Sequence, residues 1–393
     1  MSNSFRTTQD ILEALRRGDS LYSIYQQLEQ SQAFLREHQK NPFEILFETL
    51  LSPFTEEKAQ NLIKLPIASL EIYSSKLSNT IVQIISQFQG ETLSFNSLID
   101  MDESFGNTLA RFEGAELYFN KIEQIDASTV KALSKFRGLG ISLNGLEKID
   151  YEISKNFSEF RCKRLYLDGV KQIDELSAKI LAKYKGNILS LNGLKNLDKA
   201  TVKALSLFKC YPYEDSENSN NLIEEDLEEI LADIKAIEEN KEVSSLSLNG
   251  LKGIDEAIAN IFSDFQVNNL YLNGLQSLNL ATAEALAKFS GKNLYLNGLK
   301  GIDEAIASII APFGLKMPVE KLLSTTASPI SLYLNGLQEI NREVAKIFTE
   351  FQCNRLYLNG LQKIDKATAI LLAQYKGTIY STAKILDQIK KFK

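Results

Sequence analysis

Leu294-Tyr295-Leu296-Asn297-Gly298-Leu299 stands unchanged also at 270–275, 332–337 and 356–361, and slightly altered from Leu117 and Leu165. Aligned on its first leucine, the same stretch starts at Leu70, Leu93, Leu117, Ile141, Leu165, Leu189, Leu246, Leu270, Leu294, Leu332 and Leu356. Most neighbours stand 24 residues apart, the exceptions being a 23-residue first step, a 57-residue step after Leu189 and a 38-residue step after Leu294. The long steps read as one period plus insertions of 33 and 14 residues. A fixed period between about 20 and 50 residues marks an array of units that each pack only on their neighbours.

With the first leucine as position 1, apolar residues at 1, 3 and 6 and polar ones at 2 and 4 give the alternation of a short strand buried on one face. Position 5 is usually glycine, as at Gly250, Gly274 and Gly298, where the chain bends sharply and a Cβ would clash. Position 10 is Asp or Asn in ten successive repeats, from Asp102 to Asp365. A short acceptor there caps a helix, taking up first-turn amides and favoured by the helix dipole. Apolar residues then recur at positions 13, 16, 17 and 20, as in Ile258, Ile261, Phe262 and Phe265, which is helical spacing. Position 20 is a column of Phe and Tyr from Phe112 to Tyr375, expected to stack as an internal spine. One period is therefore strand, turn, helix and return, and only stacking closes its core.

This unit, with its L-x-L-x-G-L start and A-x-x-L-A-x-F finish, resembles the leucine-rich repeats of bacterial proteins over roughly Leu70 to the C-terminus. It departs from the commonest form, L-x-x-L-x-L-x-x-N-x-L, in carrying its asparagine at position 4 and a leucine at position 6. The resemblance implies an α/β solenoid, a horseshoe with a parallel sheet on its concave face and helices outside, used for binding partners. The expected division is a helical N-terminal cap over 1–66, then about eleven repeats over 67–393, with insertions at 211–245 and 315–331.

A solenoid grows lengthwise, so 393 residues need no second globular core. Hydrophobic content of 44% and charge of 24% are those of a soluble globular protein. The N-terminus lacks an apolar signal region, and no stretch approaches 18 uninterrupted apolar residues. The expectation is a cytoplasmic protein, or one exported without a Sec signal, with no membrane insertion. Cys162, Cys210 and Cys353 all occupy position 22, where glycine stands in other repeats. Two coils at strand spacing separate Cys162 from Cys210 by roughly 10 Å, beyond disulfide reach, so they read as buried structural thiols.

Before the repeats, helices are expected around Thr8–Arg17, from about Ser20 to His38, from Asn41 with Pro42 at the first helical position, and after Thr55. Covering the first coil is one use for them. Pro42-Phe43-Glu44-Ile45-Leu46, with Leu50 and Leu51, also resembles the start of an F-box. That likeness implies the alternative of an exported effector that docks a ubiquitin-ligase adaptor. In the first insertion, Ile223, Leu227, Ile230, Leu231 and Ile234 form one helical stripe, and acids fill the other face. Twelve acids against Lys235 and Lys241 give 211–245 a net charge of −10, against −6 for the whole chain. Glu224, Glu225, Asp226, Glu228 and Glu229 make it a candidate second contact. No basic stripe speaks for nucleic acid, which the acidic patch would repel.

His38 is the only histidine, and no glycine-rich phosphate loop is present, so triads, multi-histidine metal sites and nucleotide cofactors have no material. The aspartate column places one carboxylate per coil, too sparse for a calcium cage. The chain is therefore expected to be non-enzymatic, without metal or cofactor, and to bind another protein. Position 2 points away from the core and carries Tyr118, Tyr166, Tyr271, Tyr295, Tyr333 and Tyr357, the last four on consecutive strands. Position 24 adds Asn269, Asn293, Ser331 and Arg355. Tyrosine, asparagine and arginine suit protein recognition, so these tyrosines with Asn269, Asn293 and Arg355 are the candidate contact surface. Stacking along the sheet is the tyrosines' other reading, and coil-to-coil hydrogen bonding is the role expected of the position-4 asparagines.

Overall fold

The computed structural model describes residues 54–64, 68–208, 244–313 and 330–393. The first three expected helices, the F-box-like segment, both insertions except their last two residues, the acidic residues of the insertions, His38 and Cys210 lie outside the described residues. The helix expected after Thr55 is present as Glu56–Leu62, and the Thr55 hydroxyl accepts the amide of Lys58.

The described chain falls into two compact units, one reaching Glu147 and including 159–167, the other comprising 148–158 and everything from Asp168 on. In the first, β1 (Ser69–Ile72), β2 (Thr92–Phe95), β3 (Glu116–Tyr118), β4 (Gly140–Ser142) and β5 (Arg164–Tyr166) pair in parallel and in sequence order. In the second, β6 (Ile188–Ser190), β7 (Ser245–Ser247), β8 (Asn269–Tyr271), β9 (Asn293–Tyr295), β10 (Ser331–Tyr333), β11 (Arg355–Tyr357) and β12 (Thr378–Tyr380) do the same. Along the chain a helix follows each strand, so the chain is an α/β leucine-rich-repeat solenoid. The register aligns first leucines, Leu189 with Leu246 and Leu294 with Leu332, so neither insertion disturbs the ladder. β12 and the helix Ala383–Lys390 add a coil beyond the eleven read from the sequence. Its Ile379 pairs with Leu356 after a 23-residue step and lacks the glycine-leucine ending that marks seven of the others.

The core follows the repeat. Leu294 and Leu296 are fully buried and Leu299 nearly so. Removing such side chains from water contributes about 1.5–3 kcal/mol each before chain entropy is counted. Position 14, outside the apolar stripe read from the sequence, is buried as well: Gly106, Val130, Ser154, Ala178, Val202, Ala259, Ala283, Ala307, Ala345 and Ala369. These residues are small because adjacent helices pack across them, and a Cβ on Gly106 would stand 3.1 Å from the Cβ of Ala132. The position-20 spine forms, with Phe112 stacked on Phe136 at 6.4 Å in the first unit and Phe289 on Phe313 at 6.5 Å in the second.

All ten position-10 residues cap their helices through a side-chain oxygen that accepts the amide three residues on. Asp126 also accepts from the Ser128 hydroxyl, and these hydrogen bonds hold its carboxyl below the usual range. Stability from such a group is present above the ordinary carboxylate pKa and is lost as pH falls through the lower folded value. Asp126→Ala is expected to cost about 0.5–2 kcal/mol at neutral pH and much less once the carboxyl is protonated, as denaturant titrations across the acid range would show.

Candidate functional site

On the sheet face turned away from the helices, position 2 differs between the units. In the first it alternates, with Ser94, Tyr118, Ser142 and Tyr166 on successive strands. The Tyr118 hydroxyl donates to Glu116, which also pairs with Arg164 at 2.7 Å across β4, where Gly140 leaves room. Burial and then the Glu116 carboxylate push the Tyr118 phenol up to about 12. Ser142 is only 1% exposed and donates to Asn120, so no open slot lies between Tyr118 and Tyr166.

In the second unit the tyrosines run without interruption. Tyr271, Tyr295, Tyr333, Tyr357 and Tyr380 stack face to face at centroid distances of 3.9, 3.9, 4.0 and 4.4 Å, tilted by no more than 16°. Tyr380 joins the four tyrosines that the sequence singled out, because β12 extends the sheet by one strand. The rings stand closer than strands do, since strands pair at about 4.8 Å. Phe289 and Phe313 belong to the same two coils as Tyr271 and Tyr295, yet lie 6.5 Å apart against 3.9 Å. These coils fan out from the tyrosine side to the phenylalanine side, which brings the phenol rings into van der Waals contact. The phenol of Tyr295, between Tyr271 and Tyr333, is held well above its ordinary pKa, first by burial and then by hydrogen bonds to Tyr333 and Tyr271. Tyr357 is raised by burial and by Tyr333, with Arg355 pulling the other way.

The asparagines beside the tyrosines are structural. The side-chain oxygen of Asn192 accepts the backbone amide of Asn249, Asn249 that of Asn273, Asn273 that of Asn297, Asn297 that of Asn335 and Asn335 that of Asn359, all within 2.8–3.0 Å. This ladder satisfies amides that leave the strand pairing where the chain turns. At position 24 a shorter ladder runs from Asn293 to Asn269 at 2.6 Å and from Asn269 to Ser245 at 3.0 Å. Asn269 is 8% exposed, so of the candidate contact residues it offers a partner least. Asn293 and Arg355 are partly exposed beside the tyrosines. Where position 2 is serine, the hydroxyl enters the network instead: Ser190 donates to Asp168, and Ser247 to Asn192.

This surface offers a partner the edges and hydroxyls of five stacked rings. Inside the stack the ring faces are occupied by neighbouring rings, the stacking that the sequence left open as the tyrosines' other reading. Among the described residues no cluster of His, Cys, Asp and Glu is placed to hold a metal, and no helix is long and apolar enough to cross a membrane. Cys162 and Cys353 are buried, the Cys162 thiol donating to the Arg164 carbonyl at 3.5 Å and the Tyr375 hydroxyl to the Cys353 carbonyl.

No protein-family model and no curated protein matches the sequence. Among solved structures the chain is similar to an internalin, InlF, of Listeria monocytogenes, at 15% identity over 86% of this chain and 88% of that one, with a TM-score of 0.40. It is similar also to a chain of the Toll–Spätzle complex of Drosophila, at 12% identity and a TM-score of 0.42, over 81% of this chain and 37% of that one. A chain of the yeast Rad7–Elc1 complex matches at 13% identity over 90% of this chain and 88% of that one, with a TM-score of 0.36.

Proposed function

We propose that the protein binds another protein along the open sheet face of its second unit, through the tyrosine stack from Tyr271 to Tyr380 flanked by Asn293 and Arg355. The observation that carries this reading is the stack itself. Five aromatic side chains in consecutive coils keep large, rigid, partly exposed edges in register, and each edge ends in a hydroxyl. Such a surface loses little side-chain entropy on binding, because its rotamers are already fixed by their neighbours. Each stacked pair contributes about 0.5–1.5 kcal/mol to that fixing. Tyr118, Tyr166 and the acidic residues Glu224, Glu225, Asp226, Glu228 and Glu229 are secondary to it.

The test compares the native chain with a variant carrying Ala at Tyr271, Tyr295, Tyr333 and Tyr357. Both are used for affinity capture with mass-spectrometric identification, after cooperative unfolding has shown that the variant is folded. A partner retained by the native chain and lost by the variant is the expected result. The same partners held equally by both would remove the tyrosine face as the site and return the stack to a structural role.

A further inference from the structure

Seven asparagines in the chain are followed by glycine, each in the same setting, Leu-Asn-Gly-Leu. Asparagine is chemically labile, and most so before glycine, where no side chain obstructs attack by the next backbone nitrogen. Identical neighbours give all seven pairs the same intrinsic tendency, so any difference between them is imposed by the fold. Six lie in the second unit, at Asn192, Asn249, Asn273, Asn297, Asn335 and Asn359. In the first five, the side-chain oxygen is held by the amide of the next ladder asparagine. The seventh, Asn144, is half-buried in the first unit and has a partner.

Asn359 ends the ladder. Its backbone amide donates to Asn335 at 2.9 Å, but its side chain makes no hydrogen bond among the described residues, and it is exposed where the other five are half-buried. The cause is the last coil. By the register of Tyr357 with Tyr380, Thr382 stands where the next asparagine would be. There the chain enters the helix Ala383–Lys390 directly, with Thr382 at its N-cap, and makes no Asn-Gly turn to present an amide to the coil before. The Gly360 amide also donates to none of the described residues, so neither the attacking nitrogen nor the carbon it attacks is tied down.

We propose that Asn359-Gly360 is a site of spontaneous deamidation, singled out from the other Asn-Gly pairs of the second unit by the end of the ladder. The Gly360 nitrogen attacks Cγ of Asn359 and gives its proton to solvent. The new N–Cγ bond closes a succinimide ring, and the side-chain nitrogen leaves as ammonia. Water then opens the ring. Addition at Cγ breaks the new bond and leaves an aspartyl residue, whereas addition at the main-chain carbonyl of residue 359 breaks the original peptide bond and leaves an isoaspartyl residue. Nothing is oxidised or reduced, since an amide and water become an acid and ammonia. The aspartyl product suits the position, because Asp168 holds the same place in its own coil, accepting the Asn192 amide at 3.0 Å and the Ser190 hydroxyl at 2.5 Å. The isoaspartyl product lengthens the main chain inside the turn that the Leu361 amide closes on Leu358 at 3.2 Å, beside the bond from the Leu358 amide to Tyr380 at 2.7 Å, and so loosens β12. Either product puts a carboxylate two residues from Tyr357.

The test incubates the full chain at mildly alkaline pH, in native buffer and in denaturant, and follows the fraction of acid at each Asn-Gly pair by mass spectrometry of proteolytic peptides. In denaturant the six pairs should convert at similar rates, since their neighbours are the same. In native buffer Asn359 should convert about fivefold or more faster than the other five, whose reaction first requires a ladder hydrogen bond to break. Its native rate should rise with pH, because the Gly360 nitrogen attacks without its proton. Asn359→Gln replaces a side chain that makes no hydrogen bond, so it should unfold as the native chain does, and it should form acid far more slowly because its longer side chain must close a larger ring. Acid at position 359 appearing as fast in that variant would rule out the succinimide route. If Asn359 converts in denaturant but keeps its amide in native buffer, the turn holds the reacting atoms apart and the proposal is overturned. Equal native rates at all six pairs would overturn it as well, because the end of the ladder would then not be what selects the site.

Discussion

Phe289→Ala is expected to lower the free energy of unfolding by about 3–5 kcal/mol, the range for emptying a fully packed aromatic site. Phe289 is 2% exposed, and its ring lies against that of Phe313 in the next coil. A Cβ on Gly291 would stand 2.1 Å from the tip of the Phe289 ring, so this glycine is held close beneath it. The cavity would be bounded by two coils whose strands are fixed by the ladder, which limits collapse and favours the upper part of the range. A unit of a stacked array is stabilised by its neighbours, so the loss should spread to the adjacent coils and not remain local. Denaturant unfolding followed by circular dichroism measures it. A change below about 1 kcal/mol would show that the ring is not a packed spine residue.

Gly298→Ala comes next, at about 3 kcal/mol or more, and for a different reason. A Cβ there would stand 2.1 Å from the carbonyl oxygen of Asn273 and 2.5 Å from that of Leu275, both in the preceding coil. The atoms it meets are backbone and cannot rotate away. They could yield only by moving the coils apart, which would stretch the bond from the Leu272 amide to Tyr295 (2.9 Å) and that from the Asn297 amide to Asn273 (3.0 Å). Overpacking against rigid surroundings lies at or above the upper end of the usual 1–3 kcal/mol. Gly301 is the internal control, since a Cβ there meets nothing within 4 Å. Gly301→Ala should be neutral, or stabilising by up to about 1 kcal/mol through the unfolded chain. If the two substitutions have equal effects in the same denaturant titration, close coil approach is not what selects glycine at position 5.

The two glycines divide what the sequence could say from what it could not. The sequence by itself determined the coil. Leucines at 1, 3 and 6, an Asp or Asn at position 10 and an aromatic at position 20 state which side chains face inward and where each helix begins, because burial and capping are decided within one period. The capping column and the aromatic spine were legible for that reason, and so was the continuity of the ladder across both long steps. The last coil was missed because Ile379 carries the strand without the glycine-leucine ending that normally announces it.

What only the tertiary structure decided is the distance between one coil and the next. That distance makes Gly298 a contact with the carbonyls of the preceding coil as well as a point where the strand bends. It buries Asn269 beneath its neighbours, whereas the ladder of the position-4 asparagines was already expected from the sequence. It also closes the ring faces of Tyr271, Tyr295 and Tyr333 against one another at 3.9 Å while holding Phe289 and Phe313 at 6.5 Å. A repeat pattern records the environment of each side chain within its own coil. The spacing between coils results from how all the side chains of two adjacent units pack together, and no single period encodes it.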